Sequence, residues 1–534
     1  MSTAFIKRIK YLFITALIIC PGLTMAQKKE IVAYYPEFRS KGQTYYIKDI
    51  EKIGSAYKLT ILNYAFVEPA LDSSGNIVPK FLNPYAAYQQ IYTSEMSIDD
   101  VADDSTQPLR GQFNQLRKLK ARHPNIKILL SIGGWGGSKY YSDLALTPQS
   151  REKFVDACIS MFIKGNLPVS DSAGGKGAAQ GIFDGFDIDW EFPISGGNDG
   201  IHNNINDTKN LTALLALFRE KLNEINPNLL LTEAVSARES DFYKYEIKKD
   251  EQYLNWYNVM TYDYHGSWES ITNHHTNLLT SPNDPSPVKE KGSFDATIKY
   301  LLDTLGVSSN KIVPGAAFYG KGWYDVDSTN FGLYQKGKPG TNGVHVHFKN
   351  YMDFSNIRKE GFEPHWDDFA MAAWLYNPEA KVFWTYDDIK SIALKARYVD
   401  AYNLRGLMFW EITGDDTMGS MVSTIYRRNM PDFVSYINNP NNKLPIIGIT
   451  KPKNNDSIKA GSNVVIETIT QDDGYVAKVE FFVDDKSIGY NTIAPFDWVW
   501  FNAAKGIHEI KAEATNNNGG KTISSQVQIK ITEN

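Results

Sequence analysis

Short, nearly continuous apolar runs recur through most of the chain, with segments of helical apolar spacing between them. The runs are Glu30–Tyr35, Lys58–Phe66, Lys127–Ser131, Ile182–Glu191, Leu229–Ala234, Asn258–Asp263, Lys311–Ala317 and Gly406–Trp410. Apolar runs without alternation predict parallel strands buried on both faces. Arg151–Ile163 and Leu211–Ile225 have the spacing of helices packed by one side. Strands alternating with helices in this number predict an α/β fold, a closed (β/α)8 TIM barrel. An open doubly wound sheet is the runner-up, but no G-x-G-x-x-G follows the first run to support it.

Two gaps exceed what one helix fills: Phe66 to Lys127 and Ala317 to Gly406. The second holds its own strand-like and helical pieces and predicts an inserted α+β subdomain over residues 321–383. The Gly-, Ser- and Ala-rich stretch Gly165–Gln180 reads as an exposed loop. The pattern changes at Asn438–Asn442, which predicts a barrel domain over 27–437, a linker at 438–443 and a further domain over 444–534. In that last part, short segments alternate between turn signals: Val464–Thr468, Ala477–Val483, Trp498–Phe501, Ile507–Ala514 and Val527–Ile531. They predict an all-β sandwich.

The first 26 residues read as an export signal. Lys7, Arg8 and Lys10 precede the apolar run Tyr11–Cys20, too short to span a bilayer comfortably, and Thr24-Met25-Ala26 offers a cleavage site. The expectation is a secreted, extracellular protein, with the cell surface and periplasm as variants and no membrane span once the signal is gone. A lipid anchor on Cys20 ranks lower, because bulky Ile19 precedes it. Cleavage leaves Cys158 as the one cysteine, so no internal disulfide is expected. Its apolar helical surroundings predict a buried thiol. With 56 Lys+Arg against 61 Asp+Glu, the chain is not a broadly basic nucleic-acid binder. The 11 Trp and 31 Tyr suit either stacking on ring-shaped ligands or aromatic cores.

The chemistry concentrates in Phe183–Pro193, FDGFDIDWEFP. Strand side chains alternate, so Asp187, Asp189 and Glu191 share one face, and Phe186, Ile188 and Trp190 share the other. In a barrel that carboxylate row points inward and climbs to the C-terminal rim, where barrel active sites sit. Asp184 is out of phase and serves the start of the strand. Carboxylates spaced about 6–7 Å apart repel, so at least one holds a proton near neutrality. Glu191, nearest the rim, is the natural proton donor to a leaving group, with Asp189 sharing that proton and Asp187 biasing the sharing from below. A metal site would also use such a row, but no histidine lies close in sequence. No separate nucleophile is evident, which points to a neighbouring group on the substrate itself.

These residues resemble glycoside hydrolase family 18, the chitinases. The acidic strand fits that family's DxxDxDxE pattern, Ser131-Ile132-Gly133-Gly134-Trp135 its SxGG motif, Met260-Thr261-Tyr262-Asp263 its sixth-strand motif, and Gly406–Trp410 its eighth strand. The resemblance covers roughly residues 28–430, and the insertion resembles that of deep-cleft, chitinase A/B-like members. It implies retaining hydrolysis of β-1,4 bonds in chitin through an oxazolinium ion, with the substrate's N-acetyl oxygen as nucleophile and Glu191 as acid and base. It implies that Asp189 turns toward Glu191 and the acetamide nitrogen. Tyr262 orients the acetamido oxygen, Asp263 contacts the substrate, Trp410 floors the pocket and Met260 lines it. Gly134 allows the chain to pass close under the acidic strand.

Trp135 and Trp268 resemble positions that stack on sugars beyond the cleaved bond. Tyr34 and Phe66, at the first two strand ends, are expected to line the pocket, with Trp323 and Trp366 as weaker candidates. Lys321 stands where many relatives have Arg, and Glu233 is an unexpected acid near the end of the fifth strand. The partners implied are chitin and N-acetylglucosamine oligosaccharides, with no metal or organic cofactor, and the protein is expected to be a monomer. The rival readings are an endo-β-N-acetylglucosaminidase acting on N-glycans, a chitin-binding lectin and a surface adhesion protein. The C-terminal part resembles bacterial Ig-like modules, on the stretch Ala477–Asp484. Trp498 and Trp500 there read as a core pair ahead of a sugar platform.

Overall fold

A computed structural model describes residues 29–37, 45–266, 268–339, 346–347, 360–417, 419–427, 445–472, 476–492, 494–516 and 521–533. The predicted signal segment and linker lie outside the described residues. Eight parallel strands form the barrel: β1 (Glu30–Pro36), β2 (Ile61–Leu71), β3 (Lys127–Gly133), β4 (Gly185–Asp189), β5 (Leu230–Ser236), β6 (Trp256–Met260), β7 (Ile312–Ala317) and β8 (Gly406–Trp410). Each pairs with its neighbours in chain order, and β1 pairs with both β2 and β8, which closes the ring. The antiparallel strand Ile77–Phe81 folds back on β2 and occupies part of the first long gap.

Two apolar layers hold the barrel. Outward residues of the strands and inward faces of the helices build the larger one. Helix Asp207–Ile225, for example, buries Leu211, Leu214, Leu215, Phe218 and Leu222, a single helical stripe. The smaller layer fills the barrel with Val32, Ile61, Ala65, Leu129, Trp256, Val313 and Met408. Cys158 is a buried free thiol in the outer layer.

Strand bounds differ from the sequence reading where polar residues take over. β4 ends at Asp189 and β6 at Met260, so Glu191, Tyr262 and Asp263 stand just beyond strand ends, on the rim. The stretch Gly165–Gln180 is not simply an exposed loop. It contains a hairpin of Leu167–Ser170 and Ala173–Gly175, with Leu167, Ala173 and Ala179 buried. Small residues there permit close packing as well as turning.

Between β7 and β8 an antiparallel sheet runs from Tyr319 to Tyr386, slightly wider at both ends than 321–383. Its strand Tyr319–Tyr324 follows directly on β7. It has its own core of Trp323, Val326, Leu333, Trp374, Tyr376 and Phe383. Asp387, immediately after this sheet, accepts the Ala317 amide and pairs at 2.6 Å with fully buried Lys395. That joins the insertion, the end of β7 and helix Ile389–Ala401.

The C-terminal part forms an Ig-like pair of sheets. One contains Ile446–Lys451, Val464–Gln471 and Trp498–Trp500; the other is centred on Val476–Val483, Gly506–Asn516 and Val527–Thr532. Alternate residues Val464, Ile466, Val479, Phe481, Ile510, Ala512 and Ile529 make its core. Trp498 and Trp500 pack on that core, and Trp498 stacks on Phe481 at 5.9 Å. No helix of the described residues is long and apolar enough to cross a membrane.

Candidate active site

Above the apolar filling, the barrel interior turns polar around Asp187. Its Oδ2 accepts hydrogen bonds from Tyr34 and Ser131, both at 2.8 Å. Its Oδ1 accepts from Thr232 at 2.6 Å and Asn258 at 3.0 Å. Those donors stand on β1, β3, β5 and β6, so one carboxylate ties together five strands counting its own. Burial pushes the Asp187 carboxyl up, and the four hydrogen bonds pull against that.

Two residues farther up β4, Asp189 is 4% exposed and its Oδ1 has no hydrogen-bond partner. Burial, and then the charges of Glu191 and Asp187, raise it well above the ordinary carboxylate range. Glu191 is pushed up to about 8, first by burial and then by the charge of Asp263. The row therefore carries protons near neutrality at its upper end, while Asp187 is the saturated member below.

Asp263 has the opposite environment. Its Oδ1 lies 2.6 Å from the Tyr319 hydroxyl, 3.1 Å from Lys321 Nζ and 3.5 Å from His275 Nδ1. Burial opposes ionisation there, but Lys321, His275 and Tyr319 outweigh it and hold the carboxyl well below its usual range. All three groups gather on one oxygen, and the side chain is 40% exposed. Lys321 thus takes up a charge-pairing place beside the acidic rim despite lacking the planar fork of arginine.

The aromatic residues divide by exposure. Trp410 is half-buried, stacked on Phe66 at 5.6 Å and tilted against Tyr34 at 5.7 Å. Phe66 is held from behind by Gly134, where a Cβ would come within 2.6 Å of the ring. Tyr34 is 2% exposed and spends its hydroxyl on Asp187, so it supports the carboxylate from below. Met260 and Tyr262 are half-buried on the same inner layer, and the Tyr262 ring meets Tyr319 edge-on at 5.9 Å.

Trp135 and Trp268 are open to solvent, at 54% and 50%. Lys321 and Arg238 approach the Trp268 ring to 5.0 and 5.4 Å. Trp323 is core in the insertion, and Trp366 carries Lys390 over its ring at 3.8 Å. Among the described residues no group of three or more His, Cys, Asp or Glu is placed to hold a metal ion. His265 instead lies 2.8 Å from Glu269.

Sequence reasoning did not single out Thr232, Asn258, Tyr319 or His275. Thr232 and Asn258 carry a usable signal, because each is a polar residue in phase with the inward positions of its strand. Tyr319 and His275 carry none: Tyr319 reaches Asp263 as the first residue of the insertion, and His275 through the loop after β6, where the Tyr264 amide donates to the His275 carbonyl at 3.1 Å. Glu233 is out of phase: Thr232 points inward to Asp187, while Glu233 lies opposite Ile188 and Tyr257 on the outer face. It does not join the inward row of Asp187, Asp189 and Glu191. It is 1% exposed, its Oε2 has no hydrogen-bond partner, and burial followed by the charges of Asp250 and Asp187 raises its carboxyl well above the ordinary range.

Comparison with known proteins gives a consistent picture. The model of glycosyl hydrolases family 18 matches residues 30–415, and a bacterial Ig domain model matches 445–512. Chitinase A1 of Niallia circulans is 33% identical over 73% of this chain and 57% of its own length. Chitinase C of Streptomyces lividans is 32% identical over 73% of this chain and 58% of its own length. The chain thus spans less than two thirds of the length of these relatives. The catalytic domain of psychrophilic chitinase B from Arthrobacter TAD20 superposes with a TM-score of 0.68, at 31% identity over 75% of this chain and 95% of that one. Chitinase ChiA74 from Bacillus thuringiensis does so with a TM-score of 0.63, at 27% identity over 95% and 85%.

Proposed function

The chain belongs to glycosyl hydrolase family 18, and from that membership we propose that it hydrolyses β-1,4 bonds between N-acetylglucosamine units of chitin with retention of configuration. The observation that carries this reading is the split in acidity across the rim. Glu191 is pushed up to about 8 while Asp263 beside it is held ionised. A carboxyl that keeps its proton at neutral pH is a general acid in waiting.

Glu191 protonates the leaving oxygen as the acetamido oxygen of the adjacent sugar attacks its own anomeric carbon. An oxazolinium ion forms. Glu191, now a carboxylate, takes a proton from the water that opens the ring from the same face. Tyr262 holds the acetamido oxygen in line, which converts flexible attack into an oriented one. Asp189 receives the acetamide N–H; its Oδ1, buried without a partner, supports that role. Asp187 has both oxygens engaged by four donors, which supports a fixed electrostatic part for it over nucleophilic attack. Trp410 floors the pocket, and Met260 and Phe66 complete its apolar wall. Trp135 and Trp268 stack on sugars beyond the cleaved bond.

The protein acts as a secreted monomer without a cofactor, and its Ig-like module serves as a spacer or weak polymer contact. The test is to incubate the chain without its predicted signal segment with N-acetylglucosamine hexamer, beside Glu191→Gln. Products are followed by mass spectrometry and the fresh anomer by NMR. Short oligomers with the β-anomer first, abolished in the variant, are expected. Absence of cleavage by the unmodified chain overturns the reading, and N-glycan substrates become the next assay.

A further inference from the structure

Glu191 lies beyond the last rung of the ladder that aligns its strand. The register of β3 with β4 ends at Gly133 opposite Asp189. There β3 turns away, and the Gly134 amide makes a final bond to the Asp189 carbonyl at 2.8 Å. A part-buried amide beyond that point needs another acceptor or pays the cost of desolvation. The Glu191 amide finds it in a side chain: it donates to Ser138 Oγ at 2.9 Å.

Ser138 is fully buried, and its hydroxyl is used in both directions. While accepting from Glu191, its one proton lies between the Gly134 carbonyl at 2.9 Å and the Asp189 carbonyl at 3.2 Å. The serine therefore stands where the next rung would be. It joins the backbone of both upper acids to the turn after β3. The surrounding backbone leaves little room for drift. A Cβ on Gly137 would come within 2.3 Å of the Gly133 carbonyl, and one on Gly197 within 2.2 Å of the Glu191 carbonyl.

We propose that Ser138 is a positioning residue for the proton-transfer step, setting the height and direction of Glu191 relative to Asp189 through its backbone. It touches no substrate atom. This inference rests on the hydrolytic reading above for its kinetic part and on geometry alone for its structural part. Losing the hydroxyl frees the Glu191 amide and leaves the Gly134–Asp189 backbone bond as the last tie between the β3 turn and the upper end of β4. Misplacement of a reacting group by about 1 Å costs up to roughly a hundredfold in rate.

The test compares unmodified chain, Ser138→Ala and Ser138→Cys, the last keeping a slightly larger, more weakly hydrogen-bonding group at the same place. Steady-state kinetics on the N-acetylglucosamine hexamer are paired with carbon-13 NMR titration of the Glu191 carboxyl and a thermal melt. Ser138→Ala is expected to lower kcat by about 10- to 100-fold with KM within about threefold. Its Glu191 titration should move toward the ordinary range as water gains access, and Ser138→Cys should fall between. Unchanged kcat and titration in a folded Ser138→Ala overturn the proposal, as does a loss confined to KM. Should Ser138→Ala not fold, Ser138→Cys alone decides by the same two readouts. If the unmodified chain cleaves no hexamer, the functional reading fails separately. The titration then judges Ser138: a shift supports it and an unmoved Glu191 overturns it.

Discussion

Glu233 is a carboxyl in a place built for an apolar side chain, on the outer face of β5 near acidic Asp250. Its folded-state proton affinity is raised, so it costs nothing below its ordinary pKa and progressively more as pH climbs toward the folded value. The penalty grows by about 1.4 kcal/mol per pH unit in that window. Glu233→Gln should melt with the unmodified chain near pH 4 and roughly 5 °C above it at pH 8. An equal offset at both values would contradict this. Lys321 works in the other direction. Removing its charge as Lys321→Met leaves the negative charge of Asp263 uncompensated, so Glu191 holds its proton to higher pH. The alkaline limb of kcat/KM, expected near pH 8 from Glu191, should move up by roughly half a unit. Lys321→Arg should leave it in place, and a downward move in Lys321→Met would refute the coupling. At this scale the sequence was legible wherever period-two alternation applied: the Asp187–Asp189–Glu191 face follows from spacing alone. It was not legible for Tyr319 and His275, whose approach to Asp263 depends on how the insertion starts and on how the loop after β6 folds back on itself.

At the scale of elements, β3 and β4 fix each other through close backbone contact. Gly133 has φ +106°, and a Cβ there would sit 2.2 Å from the Asp189 carbonyl. Gly133→Ala must either part the two strand ends or strain the turn. It should cost about 2–4 kcal/mol in chemical unfolding and abolish hydrolysis even where the protein still folds. Near-wild-type turnover would mean that the rim tolerates displacement. A second lever is the buried pair of Lys395 with Asp387, both 0% exposed at the side chain. Lys395→Met leaves a buried carboxylate without its cation and should destabilise by about 3–5 kcal/mol, read as a shift of the barrel's urea midpoint. The barrel strands announced themselves because burial on both faces makes them apolar throughout. Their ends did not, since at the rim polar residues replace apolar ones two or three positions before or after hydrogen bonding stops. The hairpin inside 165–180 escaped notice because its small residues look the same in a packed turn as in an exposed one.

At the scale of the molecule, the apolar clusters of the barrel and of the C-terminal sheets share no residue. Each can unfold without emptying the other. Calorimetry should resolve two transitions, and removal of residues 444–534 should delete one while leaving hexamer turnover within about twofold. Loss of activity on truncation would assign the module a catalytic part. Across the barrel, Asp187 joins five strands through four donors. That convergence makes tolerance to mutation one-sided. Losing any single donor leaves the acid three partners, so drift at Tyr34, Ser131, Thr232 or Asn258 can proceed one step at a time. Losing the acid strands four buried donors together, and no single later change repairs them. In an exhaustive library of single substitutions, position 187 should accept almost nothing while each donor position accepts a small set. Lineages descending from this chain can therefore revise the ring around that carboxylate but not its centre.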